Sequence, residues 1–209
     1  MAIYVGNKRY ALFVGSTRRK AVVPSSLPYD AEAEYIESTG TQWINTGIIF
    51  KKFLYLNFDA QYTANFSTTQ VIAGPSASGG CWVGNASPGK WAITSTSPSS
   101  NSSVKSKVEV VYNNSTVLYV DGTAKGSQAR TTTPSNPIAI FNAYTGGFPS
   151  SARLYSFRIE DWTDENNKII LFNAIPVRIG TTGYLYDKVS GTLFGNSGTG
   201  NFTLGPDKN

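Results

Sequence analysis

The apolar residues of this chain come in short runs with a two-residue period, and that pattern leaves little choice of secondary structure. In residues 53–62, Leu54, Leu56, Phe58, Ala60 and Tyr62 fall on one face, while Asn57, Asp59 and Gln61 fall on the other. Such alternation belongs to a strand with one buried face. Further strand-like runs lie at 34–36, 42–46, 70–73, 81–83, 90–93, 107–112, 116–120, 138–141, 153–159, 169–177, 184–186 and 192–194. Ser38-Thr39-Gly40, Asn113-Asn114-Ser115 and Asp121-Gly122 are turn signals between them. Tyr155, Phe157 and Ile159 are expected to share a face, and the run from Ile169 to stop at Ile175-Pro176. No amphipathic helix is evident. The pattern predicts an all-β chain of about eleven to thirteen strands, closing best into a two-sheet antiparallel sandwich.

The net charge sits elsewhere. Residues 1–20 contain Lys8, Arg9, Arg18, Arg19 and Lys20 and no acid, and the remainder carries thirteen basic and thirteen acidic residues. The same segment repeats itself nine residues apart, as Ile3-Tyr4-Val5-Gly6-Asn7 and Leu12-Phe13-Val14-Gly15-Ser16. Asn7-Lys8-Arg9 and residues 16–19 read as polar connections. A short, apolar, basic, duplicated β-type arm ahead of a neutral domain reads as a fastener. The expected division is an anchoring arm at 1–24, a linker rich in Pro and Ser at 25–32, and a sandwich domain at 33–209.

Composition removes several classes of chemistry. There is no histidine and one cysteine, Cys81. Imidazole bases, Ser-His-Asp and Cys-His catalysis, most zinc sites and an intrachain disulfide are therefore excluded. Carboxylate chemistry and oxygen-ligated cations remain. The net basic charge is confined to the arm, and the domain is formally neutral, which argues against a nucleic-acid groove. No secretory leader and no apolar stretch of membrane-spanning length is seen, so assembly in a cytoplasm is expected.

Four segments carry a resemblance. Glu34-Tyr35-Ile36-Glu37-Ser38-Thr39-Gly40-Thr41-Gln42-Trp43-Ile44-Asn45-Thr46-Gly47 resembles the opening motif of concanavalin A-like, laminin-G-like jelly rolls of gut bacteria and their phages. Leu118-Tyr119-Val120-Asp121-Gly122, then Ala152 through Ile159, then Tyr186 through Phe194 with Gly198-Thr199-Gly200-Asn201-Phe202, resemble later motifs of that group in the same order. The two arm repeats resemble those that begin virion-attached proteins of gut phages. Together they resemble a head-fibre, capsid-decoration or tail-fibre protein, of the crAss-like phage type. The resemblance implies a jelly-roll sandwich in the virion with capsid or tail proteins as partners.

Candidate residues follow from both readings. Tyr4, Val5, Lys8, Arg9, Phe13, Val14, Arg18, Arg19 and Lys20 are the expected anchoring set, the apolar residues adding strands to a partner edge and the cations pairing with its acids. Homotrimeric display would multiply weak contacts. Asn142, Tyr144 and Phe148, in a glycine-rich loop, are the candidates for stacking on and hydrogen bonding to a cell-surface or mucin glycan. Trp82 and Trp91 read either as core or as part of that site. Asp30-Ala31-Glu32-Ala33-Glu34 spaces three carboxylates as glycosidases of the jelly-roll class do, but lies at the linker and departs from that class's E-x-D-x-E order. They read better as solvated acids at the domain entry. Asp121 and Asp187 read as turn caps, and no metal and no cofactor is expected. The expectation is a non-enzymatic virion surface protein, with no nucleic acid or membrane partner. The rival readings are a glycosidase and a bacterial surface adhesin module.

Overall fold

A computed structural model describes residues 2–5, 8–11, 27–64, 68–75, 81–87, 89–93, 102–144 and 147–208. Two short strands, β1 (Ala2–Val5) and β2 (Lys8–Ala11), form an antiparallel hairpin of their own. Lys8 and Arg9 thus lie in a strand, not in a connection, with Lys8 opposite Val5 and Arg9 opposite Tyr4. Phe13, Val14, Arg18, Arg19 and Lys20 lie outside the described residues.

The chain then runs through β3 (Ala31–Glu32), β4 (Ile36–Thr39), β5 (Ile44–Ile49), β6 (Leu54–Tyr62), β7 (Gln70–Gly74), β8 (Val83–Ser87), β9 (Lys90–Ile93) and β10 (Ser106–Tyr112). It continues through β11 (Ser115–Val120), β12 (Thr123–Ala129), β13 (Pro137–Ile140), β14 (Ser151–Asp161), β15 (Ile169–Ile179), β16 (Thr182–Asp187), β17 (Thr192–Phe194) and β18 (Thr203–Leu204). The larger sheet has the order β12-β11-β10-β6-β14-β15-β16-β17, with β4 and β18 beside the start of β14 and β3 beside the end of β15. The smaller sheet has the order β5-β13-β7-β8-β9. All pairings are antiparallel, and no helix occurs among the described residues. This is the expected two-sheet sandwich.

The core lies between the sheets. Leu54, Leu56, Phe58, Ala60 and Tyr62 all point inward from β6, as their alternation requires. Val108, Val110, Leu118, Phe157, Ile159 and Phe172 extend this inner face, and Ile44, Ile72, Val83, Trp91, Ile93, Ile138 and Ile140 meet it from the smaller sheet. Phe58 stacks on Phe157 at 5.4 Å, and Trp91 reaches across to Phe58 and Tyr62 at 6.1 and 5.2 Å. Each such ring contributes about 2–3 kcal/mol by leaving water.

Two expectations fail for physical reasons, and a further strand left no mark in the sequence pattern. Tyr155 does not share a face with Phe157 and Ile159. A bulge between Leu154 and Ser156 adds a residue to β14 and turns Tyr155 to the outer face. There its hydroxyl donates to Gln61 Oε1 at 3.1 Å. The Ile169 run does not stop at Pro176 but continues to Ile179. β14 has already left that side of β15, and Pro176 O there accepts from Ala33 N at 3.0 Å. N and O of one strand residue face the same side, so the missing N–H costs only the return bond to Ala33 beside short β3 and leaves the β15–β16 ladder whole. That further strand is β12, which lacks apolar alternation because it is a mostly exposed edge strand.

The motif residues stitch the ends of the chain. Buried Gln42 accepts from Thr39 N at 2.8 Å and donates to Asn201 O at 3.0 Å. The tail follows the edge of β5's entry, with Ser197 N donating to Trp43 O (2.7 Å) and Thr199 N to Thr41 O (3.1 Å). At Gly198 a Cβ would run into the Thr41 carbonyl and lie 2.9 Å from Trp43 Cδ1. Gly198→Ala is therefore expected to cost about 2 kcal/mol by pushing the tail off this edge. A thermal melt several degrees below wild type checks it.

Candidate functional site

Three loops far apart in sequence meet at one end of the sandwich because β14 lies between β4 and β6. They contribute Thr39 at the end of β4 with Gly40 after it, Thr68 and Thr69 with Gln70 at the start of β7, and Gly147, Phe148 and Pro149 with Ser151 at the start of β14. They enclose an open pocket of about 520 Å³. No charged side chain lines it.

Backbone ties hold these walls. Ser151 N donates to Gln70 Oε1 at 2.9 Å, Thr63 N to Ser151 O at 3.1 Å, and Val71 N to Phe148 O at 3.0 Å. Tyr62 OH donates to Gln70 O at 3.1 Å. Phe141, buried and at φ 67°, starts the connection that ends in the pocket, and its O accepts from Ser150 N at 3.0 Å. Gln70 is 2% exposed, and its Nε2 has no hydrogen-bond partner. A buried amide donor left unpaired costs about 1–3 kcal/mol, which an acceptor brought to it would recover. Gln70 was not among the sequence candidates. Its signal was a polar residue opening the otherwise apolar run Gln70-Val71-Ile72-Ala73.

The expected glycan residues separate. Phe148 lines the pocket, half-buried, with its inner side packed on Val71, Trp82 and Ala143. Asn142 is not exposed, contrary to expectation: it is 7% accessible, and its Oδ1 accepts from Phe148 N at 3.1 Å, which pins the loop. Tyr144 packs edge-on against Trp43 at 6.4 Å and does not line the pocket. Trp91 is fully buried in the core and has no face to offer a sugar. Trp82 is 5% exposed and backs Phe148 from within.

The entry carboxylates are engaged structurally. Asp30 Oδ2 accepts from Gly180 N at 2.7 Å and lies 4.0 Å from Arg178, which also grips Asp207 at 2.7 Å. Glu32 accepts from Tyr29 OH at 3.4 Å on the two-residue strand β3, and Glu34 is exposed. The Asp30 carboxylate and the backbone of residues 32–34 fasten the chain's entry to β15 and to the C-terminal segment. Asp121 caps the turn into β12, accepting from Lys107 N at 2.9 Å, and Asp187 caps the turn after β16. Among the described residues no three Asp, Glu or Cys side chains gather as a metal cage requires.

The outer face of the larger sheet is polar and self-paired. Tyr55 OH donates to Glu109, and burial together with that bond and the nearby charge pushes the phenol well above its ordinary range. Tyr55 stacks on Trp162 at 4.4 Å, Lys168 lies 3.8 Å from the Trp162 ring centroid, and Arg158 grips Glu160 at 2.6 Å.

No protein-family model matches this chain, and no curated protein matches it in sequence. Among solved structures it is similar to a Bacteroides ovatus protein to which carbohydrate binding has been ascribed, at a TM-score of 0.58 and 10% identity. The match covers 85% of this chain and 61% of that one, so the chain spans about three fifths of its neighbour's length. At that identity the likeness concerns the fold: residues of this chain form the same kind of all-β, two-sheet sandwich.

Proposed function

We propose that this chain is a non-catalytic virion surface protein, a head fibre or capsid decoration, whose N-terminal arm fastens it to the particle as a homotrimer. Its sandwich is displayed outward and takes a neutral sugar of a cell-surface or mucin glycan in the pocket beside Gln70 and Phe148. The observation that carries the ligand is the uncharged pocket with a half-exposed aromatic ring and a buried, unpaired amide donor. A sugar presents a C–H face for Phe148 and hydroxyl or amide oxygens for Gln70. The carbohydrate binding ascribed to the structural neighbour supports the ligand class. The resemblance of the arm to virion-attached repeats supports the location. The ion pairing of Asp30 and its backbone bonds speak against catalysis at the entry acids.

A glycan array followed by titration calorimetry tests the reading. Wild-type protein is expected to retain neutral glycans without releasing products. Phe148→Ala is expected to weaken retention at least ~tenfold, the equivalent of one lost stacking contact. Thermal melting of the same variant monitors the packing that Phe148 shares with Trp82. Binding unchanged in a folded Phe148→Ala variant, or hydrolysis lost in a Glu32→Gln, Glu34→Gln double variant, overturns it.

A further inference from the structure

The opposite end of the sandwich carries a second pocket of different chemistry. β6 spans nine residues, so its two ends lie about 27 Å apart. Thr68 follows its last residue, whereas Lys52 precedes its first. There Lys52, Asn114, Arg130, Thr131, Thr132 and Thr133 line a pocket of about 260 Å³. They come from the β5–β6 turn, the two-residue β10–β11 turn and the β12–β13 connection, held together by the antiparallel register of β6, β10, β11 and β12.

Arg130 is the informative residue. Arg153, Arg158 and Arg178 each hold a carboxylate at 2.6–2.8 Å. Arg130 is in no ion pair, its Nη1 is buried without a hydrogen-bond partner, and Lys52 also lacks a carboxylate among the described residues. Nearby Cys81 supplies no counter-charge, since burial pushes its thiol up to about 11, and its Sγ donates to Thr132 O at 3.6 Å. The guanidinium lies over the Phe50 ring, 5.5 Å from its centroid, and Phe50 in turn packs edge-on against Tyr112 at 5.0 Å. An apolar floor of this kind lowers the local dielectric and strengthens a charge-assisted bond above it.

We propose that this pocket binds a tetrahedral oxyanion, the sulfate ester of an acidic glycan, at a site separate from the Phe148 pocket. The Arg130 guanidinium donates to it, Lys52 balances its charge, and the threonine hydroxyls and Asn114 amide complete its hydrogen bonds. A free inorganic oxyanion presents the same chemistry, and the test separates the two sources.

The full chain, labelled with nitrogen-15, is titrated with inorganic sulfate, with a sulfated disaccharide and with the same disaccharide desulfated. Saturable amide shifts at Asn114 and Arg130 through Thr133, weakened by added sodium chloride, are expected with both sulfated probes. Arg130→Gln is expected to raise the dissociation constant at least ~tenfold. Lys52→Gln, a change at an exposed side chain, is expected to raise it by less while leaving the melting temperature unchanged. Tighter binding of the sulfated disaccharide than of sulfate identifies the ester, and equal binding identifies the free ion. The proposal is overturned if neither sulfated probe shifts these amides, if the desulfated sugar shifts them equally, or if both variants bind like wild type.

Discussion

Replacing Asp187 by alanine lowers the stability of the sandwich by about 3 kcal/mol, the cost expected when a buried acceptor leaves several donors unpaired. Asp187 is 2% exposed. Its Oδ1 accepts from Asn173 N at 2.8 Å and Val189 N at 3.1 Å, and its Oδ2 from Ser190 N at 3.0 Å and Ser190 Oγ at 2.6 Å. One carboxylate thus closes its own turn and ties β16 to β15. Burial favours the neutral acid, but the Ser190 hydroxyl and the three N–H groups outweigh it and hold the carboxyl below its ordinary range. The sign of the pH dependence follows. A folded-state value below the unfolded one adds stability that is complete above the ordinary aspartate range and lost as pH falls through the folded value. Urea unfolding from pH 7 down to pH 2 should therefore show a larger acid loss in wild type than in Asp187→Asn. Asparagine keeps one acceptor oxygen but turns an NH₂ toward the Ser190 donors. It should still cost about 2 kcal/mol at neutral pH and little more on acidification. An Asp187→Ala variant as stable as wild type would mean that the turn is held without the carboxylate.

The same residue shows what could be read in advance. Asp187 in a Tyr-Asp-x-x-Ser-Gly run announces a turn, and Asp121-Gly122, both at positive φ (50° and 75°), announces a tight reversal. β6 was legible because one of its faces is wholly buried and period two is then enforced at every position. Tyr155 was not, since a bulge changes the face of a residue without leaving a mark in the alternation. Nor was β12, which pairs through its backbone and buries little. The pocket was legible only at Phe148. Its other walls come from turns more than twenty residues apart in the chain, and only strand register brings them together. Gln70 Nε2 and Arg130 stand out through what they lack, a hydrogen-bond partner and a carboxylate, and such a lack shows only once every neighbour has been placed.

Removing residues 1–23 is expected to abolish incorporation into particles while leaving the sandwich folded. The hairpin β1–β2 has four residues in each strand, and both strands pair only with each other among the described strands. Two strands alone are marginal in water and gain stability when a third is added. A partner with an open sheet edge supplies it, main chain to main chain. Lys8 and Arg9 lie within β2, so the cations of the first repeat sit on the pairing strand itself. Lys8, Arg9, Arg18, Arg19 and Lys20 supply the chain's formal excess of +5, since its other charges balance. Charge of one sign on a short segment speeds docking onto an acidic surface and makes it salt-sensitive. Serine at Arg18, Arg19 and Lys20 should accordingly weaken attachment most at low salt, and the difference from wild type should shrink as salt rises. The sandwich should not notice either change, because among the described residues its core lies within 33–204. Its melting temperature and its affinity for neutral glycans should match those of the full chain. Truncated protein recovered on particles at normal occupancy would place the anchor in the sandwich, and an unfolded truncation would make the arm part of the domain.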